Sequence, residues 1–169
     1  MDLDYNLIWE PLITVFYAIF LGGLLGLERE IAAKPAGLRT HMLVAGSSAL
    51  LIVLGDIMIR HYAGLPMFED SVMADPIRIM EAIITGISFL GAGTIIFKSR
   101  NQSIEGLTTA ASILFVAAIG ITVALQQYLL ATILTVVAIV ILVVLGYIEK
   151  LVKRLHHRIY GDKSNDQNK

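Results

Sequence analysis

Apolar residues in this chain gather into five long runs, at about 7–27, 41–59, 77–97, 107–125 and 128–148. Glu28-Arg29-Glu30 closes the first run and Glu149-Lys150 the last, while Gln126-Gln127 alone parts the fourth from the fifth. Each run is of the order of 20 residues, the length a helix rising about 1.5 Å per residue needs to cross a hydrocarbon layer about 30 Å thick. A lone spanning segment satisfies its backbone hydrogen bonds internally only as a helix. The pattern therefore predicts an all-α membrane protein with about five transmembrane helices, the last two forming a tight hairpin. Residues 1–150 make up the transmembrane domain, and 151–169 a basic and polar tail, disordered from about Gly161.

Composition strengthens this reading. Hydrophobic residues make up 56% of the chain and charged residues 16%, against about 45–50% and about 25% in soluble domains. The absence of cysteine excludes disulfides, thiolate zinc sites and thiol catalysis. The chain starts with Asp2 and Asp4 where a secretory signal carries basic residues, so the first run is expected to be a retained helix.

The net charge of −1 conceals an asymmetry that sets orientation. Arg29, Lys34 and Arg39 follow the first run, Lys98 and Arg100 the third, and the remaining lysines and arginines, apart from Arg60 and Arg78, lie after the fifth. The second loop instead carries Glu69, Asp70 and Asp75. Basic residues in short loops stay on the cytoplasmic side. The N-terminus is thus expected outside and the C-terminus in the cytoplasm.

A displacement of 69 residues brings two halves into register without a gap. Phe20-Leu21-Gly22-Gly23 falls on Phe89-Leu90-Gly91-Ala92, Arg29 on Lys98, and Gly37-Leu38-Arg39-Thr40 on Gly106-Leu107-Thr108-Thr109. Equivalent helices would cross in the same direction, which makes this a parallel repeat of two-helix units, with the fifth helix an addition.

Three groups of residues carry candidate chemistry. Gly22 and Gly26, and Gly91 with Gly93, are small residues of the kind that let helices approach closely in lipid. Alternatively Gly91-Ala92-Gly93 unwinds the third helix and exposes backbone carbonyls, as in transporters with broken helices. Glu28, Arg29, Arg39, Thr40, Thr108 and Thr109 gather at the cytoplasmic face. They serve either as topology signal and helix caps, with Glu28 paired to Arg39, or as a site for a phosphate, a lipid head group or a partner protein. Glu81, four residues into the third run, and Asp56, at the outer end of the second, are the candidate ligands for a metal, with magnesium the ion that carboxylate and water oxygens suit. Asp56 and Arg60, at i and i+4, also suit each other. The serines lack a base partner and there is no phosphate-binding glycine motif, so neither a catalytic residue nor an enzyme is expected. The basic tail is an anchor near anionic lipid and not a nucleic-acid site.

Gly26-Leu27-Glu28-Arg29-Glu30 and Ala36-Gly37-Leu38-Arg39-Thr40 resemble the first signature of the MgtC/SapB family. Gly86-Ile87-Ser88-Phe89-Leu90-Gly91-Ala92-Gly93, then Gly106-Leu107-Thr108-Thr109-Ala110-Ala111, resemble the second. The resemblance covers most of 10–145, the transmembrane part, and the ACT-like C-terminal domain of some members is expected to be absent. It implies a bacterial inner-membrane protein of about five helices involved in magnesium homeostasis or adaptation to low magnesium. Such a protein would regulate other membrane proteins, such as a magnesium pump or the ATP synthase, and the alternative is direct transport of Mg2+ or another small solute. Beyond membrane lipids, the expected partners are a second copy, most simply in a dimer, and one such membrane protein. No cofactor is implied other than Mg2+ itself.

Overall fold

The computed structural model describes residues 5–63, 76–98 and 103–161. It contains five helices, α1 (Tyr5–Ile31), α2 (Leu38–Ala63), α3 (Pro76–Ala92), α4 (Leu107–Ala124) and α5 (Tyr128–Gly161), with a short antiparallel ribbon of β1 (Ile96–Lys98) and β2 (Ser103–Glu105) between α3 and α4. The protein is an all-α membrane protein. Four helices, all but α3, are long and apolar enough to cross a bilayer. With 17 residues, α3 extends about 25 Å, at the lower end of what a span takes. The acids of the second loop lie outside the described residues.

Boundaries differ from expectation at several helix ends, and α1 runs past 27 to Ile31 while α2 spans Leu38–Ala63 in place of 41–59. The third apolar run was expected to stay helical to 97, yet α3 stops at Ala92 and the next apolar residues enter β1. The Thr94 N–H and Oγ1 donate to the Gly91 carbonyl at 2.9 and 2.7 Å, which caps the helix end. Ile95, Ile96 and Phe97 are apolar enough to prolong a span on paper, but β-branched residues suit an extended strand as well. At the other end of the chain, α5 continues past 148 to Gly161, where a tail was expected.

The chain divides into two compact units, Met1–Thr135 and Val136–Lys169. In the first, α2 packs on both α1 and α4, while α1 also touches α4, and α3 touches α4 and α2. The core is built of small and branched residues: Ala18, Leu21 and Leu25 from α1, Val44, Ala45 and Ala49 from α2, and Ile113, Val116 and Ala117 from α4. Helix association in lipid depends on such close packing, since lipid tails are as apolar as the side chains. The described part of the second unit is the rest of α5, whose exposed Val136, Val140, Ile141, Val144 and Leu145 suit a lipid surround.

Gly37 and Gly106 immediately precede α2 and α4, so the two helix starts keep the displacement of 69. Packing repeats it too. A side chain at Gly22 would meet His41, and one at Gly91 would meet Ala110, each partner again 69 residues on. Gly106 has φ +92°, and a Cβ there would collide with the Thr94 carbonyl, so this turn from ribbon to helix requires glycine.

The first turns of α5 are tied to α1. The Thr132 hydroxyl donates to the Tyr128 carbonyl, so the Tyr17 Oη, 2.7 Å from Thr132 Oγ1, is the donor in that pair. The Tyr17 and Tyr128 rings meet edge to face with centroids 5.5 Å apart. Tyr17→Phe keeps the ring contact and removes one hydrogen bond. It is expected to cost about 0.6 kcal/mol, the mean for such bonds between membrane helices, read as a small fall in the unfolding midpoint in detergent.

Candidate functional site

Functional groups gather at both ends of the bundle. At one end lie the last turn of α1 and the starts of α2 and α4. Here α1 carries a stripe of Ala18, Leu21 and Leu25 at helical spacing, and Arg29 continues it one turn on. Arg29 is therefore 3% exposed, with its Nε donating to Glu28 Oε2. Among the described residues, that carboxylate is the one recorded partner of its guanidinium. Glu30 closes the turn differently: its carboxylate accepts the Leu38 N–H at 3.0 Å and so caps α2. Gly37 lies against the same carboxylate, and a Cβ there would strike it.

Behind Arg29 sits His41, which is fully buried. Its Nδ1 lies 2.8 Å from the Gly37 carbonyl, which accepts, so Nδ1 carries a proton. Its Nε2 lies 3.1 Å from Ser112 Oγ, and that hydroxyl is also 2.8 Å from the Thr109 carbonyl. In the neutral ring the one hydroxyl hydrogen of Ser112 serves Nε2 or Thr109, not both. The charges of Glu28 and Arg29 reach the imidazole. The backbone around His41 is held tightly, because a Cβ on Gly22 would lie 2.6 Å from the His41 carbonyl and one on Gly26 2.8 Å from its Cβ.

The six residues singled out at this end from the sequence thus separate. Thr109 joins His41 and Ser112 in one buried hydrogen-bonded chain, and Glu28 and Arg29 form a pair at the same end. Arg39 and Thr108 are exposed and Thr40 is half-buried. Glu28 pairs with Arg29 and not with Arg39, because helix α1 runs on to Ile31 and turns Arg29 inward. No threonine caps α4; its cap is Gly106, with no side-chain bond. Gly93 forms the turn after α3, so the glycine pair Gly91 and Gly93 marks a helix end and not a break inside a continuing helix. His41 and Ser112 were missed: a histidine beside a basic loop reads as interfacial, and only the glycines of α1 hinted that a bulky residue of α2 must be seated opposite them.

At the opposite end, Asp56 and Arg60 pair at 2.9 Å, as their i,i+4 spacing suggested. Glu81 is exposed, and its backbone carbonyl accepts the Thr85 hydroxyl at 2.8 Å. Among the described residues, no three or more histidines or acids gather as a metal would require. Glu81 and Asp56 thus form no such cluster.

These features define a multi-pass, all-helical membrane protein with a buried polar cluster at one end of the bundle. The profile of the MgtC family matches residues 15–151, and the chain belongs to that family. It is 36% identical over 155 residues to an uncharacterized protein of Haemophilus influenzae, covering 92% of this chain and 60% of that one. It is 40% identical over 119 residues to the putative magnesium transporter YhiD of Escherichia coli K12, covering 70% of this chain and 53% of that one. With protein MgtC of Brucella abortus it shares 37% over 119 residues, 68% of this chain and 44% of that one. The chain thus spans about half the length of the curated relatives it matches. No solved structure matches.

Proposed function

We propose that this chain serves magnesium homeostasis or adaptation to low magnesium as a regulator that binds another membrane protein. The observation that carries this reading is the seal between α2 and α4. A side chain on Gly120 would strike the Ala45 carbonyl, and Ala45, Val116, Ala117 and Ile113 fill the layer around it. A solute path between the two halves would have to run there, and the backbones leave no width for one. The link to magnesium draws on the family and on the name of YhiD.

In this reading the protein sits in a bacterial inner membrane, N-terminus outside and C-terminus in the cytoplasm, and catalyses no reaction. The Arg29 end then faces the cytoplasm. The partner, a magnesium pump or the ATP synthase, meets it there through Glu28, Arg29 and the exposed Arg39, Thr40 and Thr108. A second copy completes a dimer. Helix α3 supports such contacts, since it leaves Glu81, Thr85, Gly86, Ser88 and an 83% exposed Phe89 uncovered by its own chain.

The test is flux. Purified protein in liposomes is expected to pass no Mg2+ above the rate of empty vesicles, while an Arg39→Ala, Thr108→Ala variant loses crosslinking to its partner in cells. Saturable Mg2+ uptake by the unaltered protein, above the rate of empty vesicles, would establish the second reading, direct transport, which the name of YhiD favours.

A further inference from the structure

The end of the bundle away from Arg29 holds a cavity of about 450 Å³ between α1, α2, α3 and the turn that follows α4. Its volume falls in the range of small-molecule sites, about 300–1,000 Å³. Ile52, Val53, Ile79 and Leu125 form an apolar wall, and Glu10, Asp56, Arg60 and Gln126 a charged rim.

The rim is half satisfied by its own members. Gln126 Nε2 donates to Glu10 Oε1 at 3.0 Å, and Arg60 Nε donates to Asp56 Oδ2 at 2.9 Å. Glu10 Oε2, Asp56 Oδ1 and both Nη groups of Arg60 have no recorded hydrogen-bond partner among the described residues. Both pairs line the same cavity, so they share one site. Two carboxylates against one guanidinium leave a net charge of −1. Such a rim fits a ligand with an ammonium for the carboxylates and an anionic oxygen pair for the Arg60 fork. The apolar wall asks in addition for a hydrocarbon portion.

Depth identifies the source. Trp9 is largely exposed beside Glu10, and the Tyr128 hydroxyl lies 3.3 Å from Thr14 Oγ1, which lines the cavity. Tryptophan and tyrosine of this kind mark the head-group layer. We infer that this cavity is a binding site for a phospholipid with a primary-amine head group: its ammonium sits on Glu10 and Asp56, its phosphate on Arg60, and its upper acyl chain along Ile52, Val53 and Ile79.

The experiment titrates the full-length protein in detergent with phosphatidylethanolamine, its N-methylated derivatives and phosphatidylglycerol of identical acyl chains, counting bound lipid by native mass spectrometry. The primary amine is expected to bind about tenfold more tightly than the trimethylated head group, which lacks N–H donors, since a hydrogen bond to a charged partner contributes about 1.5–3 kcal/mol. Glu10→Gln with Asp56→Asn is expected to erase that preference, and Arg60→Gln to weaken every phospholipid. The methylation series uses the unaltered protein, so it stands even if a variant misfolds. Equal binding of all head groups, or a preference that survives loss of both carboxylates, overturns the assignment. So does displacement of the lipid by soluble O-phosphoethanolamine at equal concentration, which would make the ligand a free zwitterion.

Discussion

Gly120→Val is expected to destabilise the protein by about 2–3 kcal/mol, the upper part of the range for overpacking a tight interface. A Cβ at 120 meets the Ala45 carbonyl oxygen and the carbonyl carbon behind it, so the obstacle is backbone and cannot rotate away. Separating α2 from α4 to admit the branch opens gaps around Ile113, Val116 and Ala117, which are all buried. Gly146→Val is the matched control. Gly146 is likewise a helix glycine, and a Cβ there meets nothing within 4 Å, so its change is expected to stay within about 0.5 kcal/mol. Both substitutions alter helix propensity alike, so the difference between them isolates packing. Unfolding in mixed detergent, followed by helical signal, gives both midpoints. Equal midpoints for the two variants would refute the close approach of α2 and α4 and, with it, the sealed layer on which a non-transporting role depends.

Much of this architecture was legible from the runs of apolar residues, because in a bilayer hydropathy and span length express the same constraint. The Gln126-Gln127 junction marked the break between α4 and α5, where Gln126 adopts a positive φ of 59°. The displacement of 69 aligned Gly37-Leu38 with Gly106-Leu107, where α2 and α4 begin, although the apolar run alone put the start of α2 at about 41. Hydropathy reports burial and not conformation, so it could not tell that Ile96 and Phe97 leave the helix for a ribbon. The candidate site was half legible. Ending the first helix at 27, where the apolar run stops, left Arg29 in a loop, free to be read as topology signal. Extending the 3.6-residue period of Ala18, Leu21 and Leu25 by one turn places it on the buried stripe. The same period on α2 joins His41 to Val44, Ala45 and Ser48, all buried. What no periodicity supplies is the partner across the interface, Ser112, 71 residues away in sequence.

The inward turn of Arg29 makes it the residue whose loss should be felt most among the charges of the bundle. Arg29→Ala removes the partner of Glu28, whose side chain is 16% exposed, and leaves a carboxylate in a poorly solvated place. Breaking a buried pair from one side costs about 3–5 kcal/mol, most of it the penalty of the stranded charge. The head-group layer offers some water, so the lower figure, about 3 kcal/mol, is expected here. Arg39→Ala, in the first turn of α2 and exposed, is expected to change stability by less than about 0.5 kcal/mol. Neutralising both partners separates charge from packing: Glu28→Gln with Arg29→Met keeps most of the side-chain volume and strands no ion. It should therefore recover most of what Arg29→Met alone loses, giving a large coupling in a double-mutant cycle. His41 provides an internal reporter, because it is bonded to Gly37 and Ser112 directly behind the pair. Its ring resonances should shift in Arg29→Ala and stay in place in Arg39→Ala. If the two alanine variants unfold at the same midpoint and leave His41 equally undisturbed, Arg29 is a solvated loop charge, and the polar cluster it anchors is not a unit.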